Sequence, residues 1–390
     1  MASTPYIDLT AFMAEAQQLA GAVDWGGDGF EEAFERFATA LNDEADLTPQ
    51  GLERTRSHVR KLLVGRLRLF QDRKTYPEIT REVIRAPLFL TGLGRSGTSY
   101  LNALLAEDPS HYAPRHWQIW TLSPPPLVRG ADTRVQIAAG EQFIRDEGWQ
   151  DPEVRITHDY QAANAAEDTL IHEYAFRTGS FQFFWNVPSF GEWLSMADLA
   201  PAYRIERKVL QALQYGGRQG RWVIKSPVHL AQLGYLLAEF PDARMVVNHR
   251  DPVKTLGSIF SMRAAHRKQC GNAPVQVDRA FALAVVEGNA RALETMMELR
   301  KAAAVDERFV DIAYLDLESD PIGQVAKVYA RLGDTPSAAA LAKMTRYMRE
   351  NRKGRFGAHK YGLEEIGLRV EEVRERFKPY TDYFDIPYEV

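Results

Sequence analysis

Pro87-Leu88-Phe89-Leu90-Thr91-Gly92-Leu93-Gly94-Arg95-Ser96-Gly97-Thr98-Ser99 is the stretch on which the fold turns. Its first half is a short apolar run ending in glycine, the pattern of a strand buried on both faces in a parallel sheet. From Tyr100 to Leu105 the apolar residues take up helical spacing. Strand, glycine loop and helix therefore follow one another directly. Glycines let the backbone curl until successive N–H groups face one anion. The following helix turns its N-terminus to the same point. Thr98 and Ser99 add hydroxyl donors, and Arg95 adds a permanent charge. The loop reads as a phosphate cradle. The bland alternative is a tight strand–helix turn without a ligand, which leaves the arginine at its tip unexplained.

Working outward, the same alternation recurs. Arg221-Trp222-Val223-Ile224-Lys225 reads as a strand, with Ser226-Pro227 as N-cap and first turn of a helix running to about Phe240. Arg244 to His249 reads as a third strand, followed by Asp251-Pro252 and a helix through Ser258 and Met262. Residues 277–303 read as a long helix, Phe309 to Tyr314 as a fourth strand, and Asp316 to Leu332 as helix again. Residues 1–85 read as helices, with Phe30, Phe34, Phe37 and Leu41 at helical spacing and Thr48-Pro49 as a helix start. Long loops are expected at 113–135 and 350–365. The expected fold is α/β, a P-loop-like parallel sheet flanked by helices, with an N-terminal helical extension. We divide it into that extension, residues 1–85, and one α/β domain, residues 86–390, acting as a single functional domain.

Composition bounds the function. The chain has 390 residues, 45% hydrophobic and 26% charged, with a net charge of −4. That suits a globular protein with a sizeable core. No global basic field argues for nucleic acid or an anionic membrane as partner. The one cysteine, Cys270, rules out a disulfide framework within the chain and suggests a reducing compartment. Residues 1–24 lack the charged start and apolar run of a signal peptide, and no run approaches the roughly 18 apolar residues of a membrane span. A cytoplasmic location without integral membrane association is expected, and a homodimer is the default for an oligomer.

Three chemistries compete for the loop. Gly92 and Gly97 have Walker A spacing, but Thr98 stands where the lysine belongs. Gly92, Gly94 and Gly97 fit the dinucleotide fingerprint, but His111 to Trp117 offers neither the acidic residue nor the strand it needs. The third is sulfuryl transfer. Gly94-Arg95-Ser96-Gly97-Thr98-Ser99 resembles the 5′-phosphosulfate loop of sulfotransferases that use 3′-phosphoadenosine-5′-phosphosulfate (PAPS). Arginine at the basic position is similar to the tyrosylprotein branch, where the cytosolic branch usually has lysine.

The resemblance extends along the chain. Arg250, at the end of the third strand, and Ser258, eight residues later, resemble the family's clamp on the 3′-phosphate. Lys225 stands where relatives place a lysine facing the transferring group. Arg352-Lys353-Gly354, with Gly357 and Lys360, resembles the segment that closes over the nucleotide. The whole layout resembles large bacterial sulfotransferases. The plain alternatives are a surface arginine, a salt-bridged lysine and a solvated basic loop.

The resemblance implies that an acceptor hydroxyl attacks sulfur while 3′,5′-ADP leaves. Arg95, Lys225 and the loop N–H groups would stabilise the charge on the leaving oxygen. No metal is required, and no metal-ligand spacing is evident. The general base of the tyrosylprotein branch is a glutamate; counting from Arg95, that position here is His116, with His229 as the second candidate. Trp117-Gln118 replaces the Trp-Glu common among bacterial relatives. The aromatic run Tyr174 to Trp193 reads equally as a pocket for a small apolar alcohol or phenol and as core. A P-loop kinase using ATP and a non-catalytic nucleotide-binding protein are the alternatives.

Overall fold

The structure, a computed structural model, describes residues 5–130, 132–217, 220–271, 279–302, 305–351 and 363–389. The chain forms two compact units, each assembled from three stretches.

The first unit comprises Met1–Ile84, Pro114–Gln219 and Arg263–Val275. Its helices α1 (Leu9–Ala20), α2 (Phe30–Glu44) and α3 (Pro49–Thr75) lead the chain. Thr48 caps α3 as expected, accepting from Gly51 N–H at 2.9 Å. The spacing of Phe30, Phe34 and Phe37 places all three in the core. There they meet the aromatic run. Phe37 stacks on Phe181 at 4.1 Å and meets Trp185 and Phe190 edge-on. Tyr174, Phe176, Phe181, Phe184, Trp185 and Phe190 are buried, so for these six the core reading holds. Beneath α3, His58 lies between two buried carboxylates, 3.1 Å from Glu147 and 2.7 Å from Glu173. Asp168, His172 and Glu206 also converge, all buried, with ligand-type atoms within 4.8 Å of one another. Sequence reading found no such group. Asp168 and His172 do stand four apart, but Glu206 comes from the distant helix Ala200–Gln214. His172 Nε2 lies 3.0 Å from Glu206 Oε2.

Residues 113–135, expected as loop, contain the short helices His116–Trp120 and Pro126–Arg129. Helices of five and four residues are too short to show a period. Of the other expected loop, 350–365, most lies outside the described residues.

The second unit comprises Arg85–Ala113, Gly220–Met262 and Gln276–Val390. It holds a parallel sheet of five strands: β1 (Leu88–Gly92), β2 (His111–Tyr112), β3 (Arg221–Lys225), β4 (Arg244–His249) and β5 (Phe309–Ala313). Their spatial order is β2-β3-β1-β4-β5. β1 is central and buried along its length, as its unbroken apolar run requires. The two-residue strand β2 corrects the expectation of no strand at His111. It pairs with Arg221 and Trp222 of β3, a partnership its own two residues do not announce. The helix α4 (Thr98–Ala106) follows β1. Leu101, Leu104 and Leu105 pack it on Leu88, Leu90, Val223 and Val246.

Two helix boundaries differ from expectation. After β3 the helix begins at His229, not at Pro227. Ser226 N–H instead bonds Leu90 carbonyl at 3.1 Å, so the chain first extends the ladder between β3 and β1. The helix expected from Asp316 to Leu332 is two, Tyr314–Ser319 and Pro321–Arg331. Asp320 caps the second through Gly323 N–H, and Pro321 cannot continue the first.

Candidate active site

Three neighbouring strands end together. β1 ends at Gly92, β3 at Lys225 and β4 at His249. The chain runs from β1 to β3 on one side and crosses to β4 on the other, so the sheet's direction of growth reverses at β1. In open parallel sheets, ligands bind at the carboxyl ends of strands beside such a switch point.

The loop is built there under tight constraint. Gly92 has φ 151°, and a Cβ on it would lie 2.4 Å from the Asn248 carbonyl and 2.8 Å from Ser96 Oγ. Only glycine fits. Gly97, at φ 87°, is the N-cap of α4 and provides no side-chain cap. The first turn of α4 contains no acidic residue, so nothing within the helix neutralises the positive end of its dipole. Arg95 is exposed and also holds positive φ, 70°.

Two buried polar atoms on the loop's floor, Ser96 Oγ and Asn248 Oδ1, have no hydrogen-bond partner among the described residues. Asn248 uses its Nδ2 to hold the Ser96 carbonyl at 3.2 Å. Buried polar atoms ordinarily find partners. A cradle with N–H donors, exposed Arg95 and Ser99, and a spare hydroxyl beneath suits a phosphosulfate or phosphate group.

The structure joins Arg250 to this loop. Its Nη1 donates to the Arg95 carbonyl at 2.8 Å. Its guanidinium carbon lies 3.7 Å from the centroid of the Tyr314 ring, and Tyr314 also borders Gly97. Ser258 is half-buried on the helix Pro252–Arg267. The next residue, Ile259, would be 3.2 Å from a Cβ on Gly94, so this turn runs alongside the loop. Asp251 caps that helix through Val253 N–H at 2.9 Å.

Lys225 is buried at the end of β3, in register with Leu90 of β1. His229 is fully buried, its ring edge-on to Phe89 at 5.1 Å. His116 belongs to the first unit. There it is fully buried, with Tyr160 at 5.3 Å and His158 at 6.2 Å between ring centroids. Arg352, Lys353, Gly354, Gly357 and Lys360 lie outside the described residues.

Sequence reading missed Asn248, Tyr314, Asp251 and Glu389, which surround Arg250 and the loop. Asn248 and Asp251 flank a residue already singled out, a signal that was available. Tyr314 and Glu389 carry no local mark.

Residues 87–335 match the model of a sulfotransferase family. The chain belongs to that family. Two solved mycobacterial sulfotransferases share its fold. One, STF1 from Mycobacterium tuberculosis, is 30% identical with a TM-score of 0.81, the match covering 97% of this chain and all of that one. The other, STF9 from Mycobacterium avium, is 25% identical with a TM-score of 0.88, covering 100% of this chain and 99% of that one. A curated relative is the omega-hydroxy-beta-dihydromenaquinone-9 sulfotransferase Stf3 of Mycobacterium bovis. It is 22% identical over 311 residues, 72% of this chain and 71% of the relative. This sulfotransferase is therefore an enzyme of sulfuryl transfer, and the kinase and non-catalytic alternatives fall away. Among its described residues no helix is long and apolar enough to cross a membrane.

Proposed function

We propose that this sulfotransferase moves a sulfuryl group from PAPS to the hydroxyl of a small apolar alcohol or phenol, releasing 3′,5′-ADP. The observation that carries the donor assignment is the bond between Arg250 and the Arg95 carbonyl. It ties a second cation to the phosphate loop, as a donor with phosphate groups at two positions requires. The acceptor class rests on the mycobacterial relative named for an omega-hydroxy dihydromenaquinone, a hydroxyl on an apolar molecule.

The donor supplies the sulfuryl group and an oxygen leaving group. The acceptor oxygen bonds sulfur as the sulfur–oxygen bond to the 5′-phosphate breaks, and negative charge gathers on the oxygen that leaves. Arg95, the buried Lys225 and the loop N–H groups are assigned to stabilise that charge. Ser96 to Ser99 hold the 5′ side, and Arg250 with Ser258 hold the 3′-phosphate. Arg352, Lys353 and Gly354 are assigned to cover the nucleotide. His116 takes the hydroxyl proton, with His229 as the second candidate. Burial of His229 against Phe89 favours a packing role for it.

Calorimetric titration with 3′,5′-ADP, 5′-AMP and ATP-Mg tests the donor. We expect 3′,5′-ADP to bind tightest, and Arg250→Ala to weaken it on the order of 100-fold. Equal binding of 3′,5′-ADP and 5′-AMP to the unaltered protein would remove the PAPS assignment. For the base, His116→Ala should abolish turnover with nucleotide affinity unchanged; turnover surviving in it but lost in His229→Ala would reverse the order.

A further inference from the structure

The end of β4 is held by the chain that follows it last. The helix Val370–Tyr383 and the segment after it reach each of three consecutive residues. His249 Nδ1 lies 3.1 Å from Tyr380 hydroxyl, and its ring stacks on Phe384 at 4.1 Å. Asp251 Oδ2 accepts from Glu389 backbone N–H at 3.0 Å. Between them, the Glu389 carboxylate grips Arg250 with both oxygens, at 2.8 Å from Nε and 2.9 Å from Nη2. The side chains of this pair are only 18% and 14% exposed. The segment has its own anchors, Ile386 N–H on Thr381 carbonyl at 2.9 Å and Arg374 over the Tyr388 ring at 4.3 Å.

A guanidinium has five N–H hydrogens in a rigid plane. Glu389 takes one on Nε and one on Nη2, and the Arg95 carbonyl takes one on Nη1. One hydrogen each on Nη1 and Nη2 is left by the described residues. The Tyr314 ring fixes the plane itself. An arginine on its own long stem would lose rotamer freedom on meeting a phosphate. Here that ordering is already done, with one hydrogen on each terminal nitrogen still to give.

We infer that Glu389 is a positioning residue for the donor: it locks Arg250 so that the remaining N–H pair receives the 3′-phosphate, and it thereby sets the preference for a 3′-phosphorylated nucleotide. This rests on the assignment of Arg250 made above. Glu389 also raises the guanidinium's proton affinity, outweighing burial, so the cation is permanent. A carboxylate so near a phosphate site carries a repulsive cost, which gives the inference a sharp opposite. If Glu389 merely occupies the phosphate's place, removing it tightens binding.

The test is the ratio of affinities for 3′,5′-ADP and 5′-AMP, measured for the full chain and for Glu389→Gln, Glu389→Asp and Arg250→Ala. 5′-AMP needs no 3′ site, so its binding reports an intact loop. Glu389→Gln should lower the ratio on the order of tenfold with 5′-AMP affinity kept. Glu389→Asp, which keeps the charge, should recover part of it and serves if the amide variant folds poorly. Adding Glu389→Gln to Arg250→Ala should change nothing more. A ratio unchanged in Glu389→Gln makes the pair a plain ion pair and overturns the inference; a tighter grip on 3′,5′-ADP overturns it in favour of competition. Either result leaves the donor reading standing. No preference in the unaltered chain instead removes the Arg250 assignment, and this inference with it.

Discussion

Arg95 holds its charge in a backbone conformation that L-residues avoid, at φ 70°, costing about 1–2 kcal/mol. Glycine would relieve it. We expect Arg95→Gly to raise thermal stability slightly while turnover falls on the order of 100-fold. Arg95→Ala should lose turnover similarly and gain no stability. Melting curves set beside kcat separate strain from charge; equal stabilities would deny that strain is stored there. At this scale the sequence was informative about one kind of residue. Gly92, Gly97 and Arg95 announce themselves because their chemistry is odd for their position. Glu389 and Tyr314 do not, because a glutamate and a tyrosine are ordinary anywhere. Their meaning comes from Arg250, 139 residues from Glu389.

Among elements, the long buried strands were legible and the two-residue, half-buried β2 was not. β3 and β4 end where their apolar runs end, at Lys225 and His249. β2 is legible only from its neighbour. The start of the helix at His229 was misjudged because Ser226-Pro227 suits a first turn locally, while Leu90 claims Ser226 N–H through the sheet. α3 gives a prediction of its own. Burial alone would push His58 down, but the Glu147 and Glu173 carboxylates outweigh it and raise its pKa to about 10. Burial pushes Glu147 up as well. Both groups thus bind protons more tightly folded than unfolded. Stability from His58 is complete below its unfolded value near 6.5 and is lost as pH rises through about 10. The melting temperature should fall across pH 7 to 10 more steeply than in His58→Phe. A variant with the same slope would show that the triad is not the source.

For the molecule as a whole, the lone cysteine is a ready reporter. Cys270 is buried in the first unit, its thiol pushed up to about 12 by burial. Its carbonyl accepts from Thr48 N–H at 3.0 Å, which ties it to the start of α3. A thiol must ionise to react. Alkylating reagents should therefore leave the native enzyme unlabelled and active at pH 8, and label it stoichiometrically in denaturant. Rapid native labelling would mean that this end of α3 opens readily. The sequence shows that the cysteine is alone; that it is buried, beside the start of α3, needed the distant contact with Thr48.

The spatial order of the sheet has a consequence for how the chain is made. β1 leaves the ribosome early, yet both strands that flank it, β3 and β4, come far behind. Arg250 follows Arg95 by 155 residues. At ~5–20 residues per second that interval is on the order of 10 s. Until β3 follows, this largely apolar segment has two bare edges and neither flanking strand to pair with, the condition under which nascent chains stick to one another. Expression conditions that slow translation over this interval should cost soluble yield, and a holdase that shields residues 88–92 should restore it.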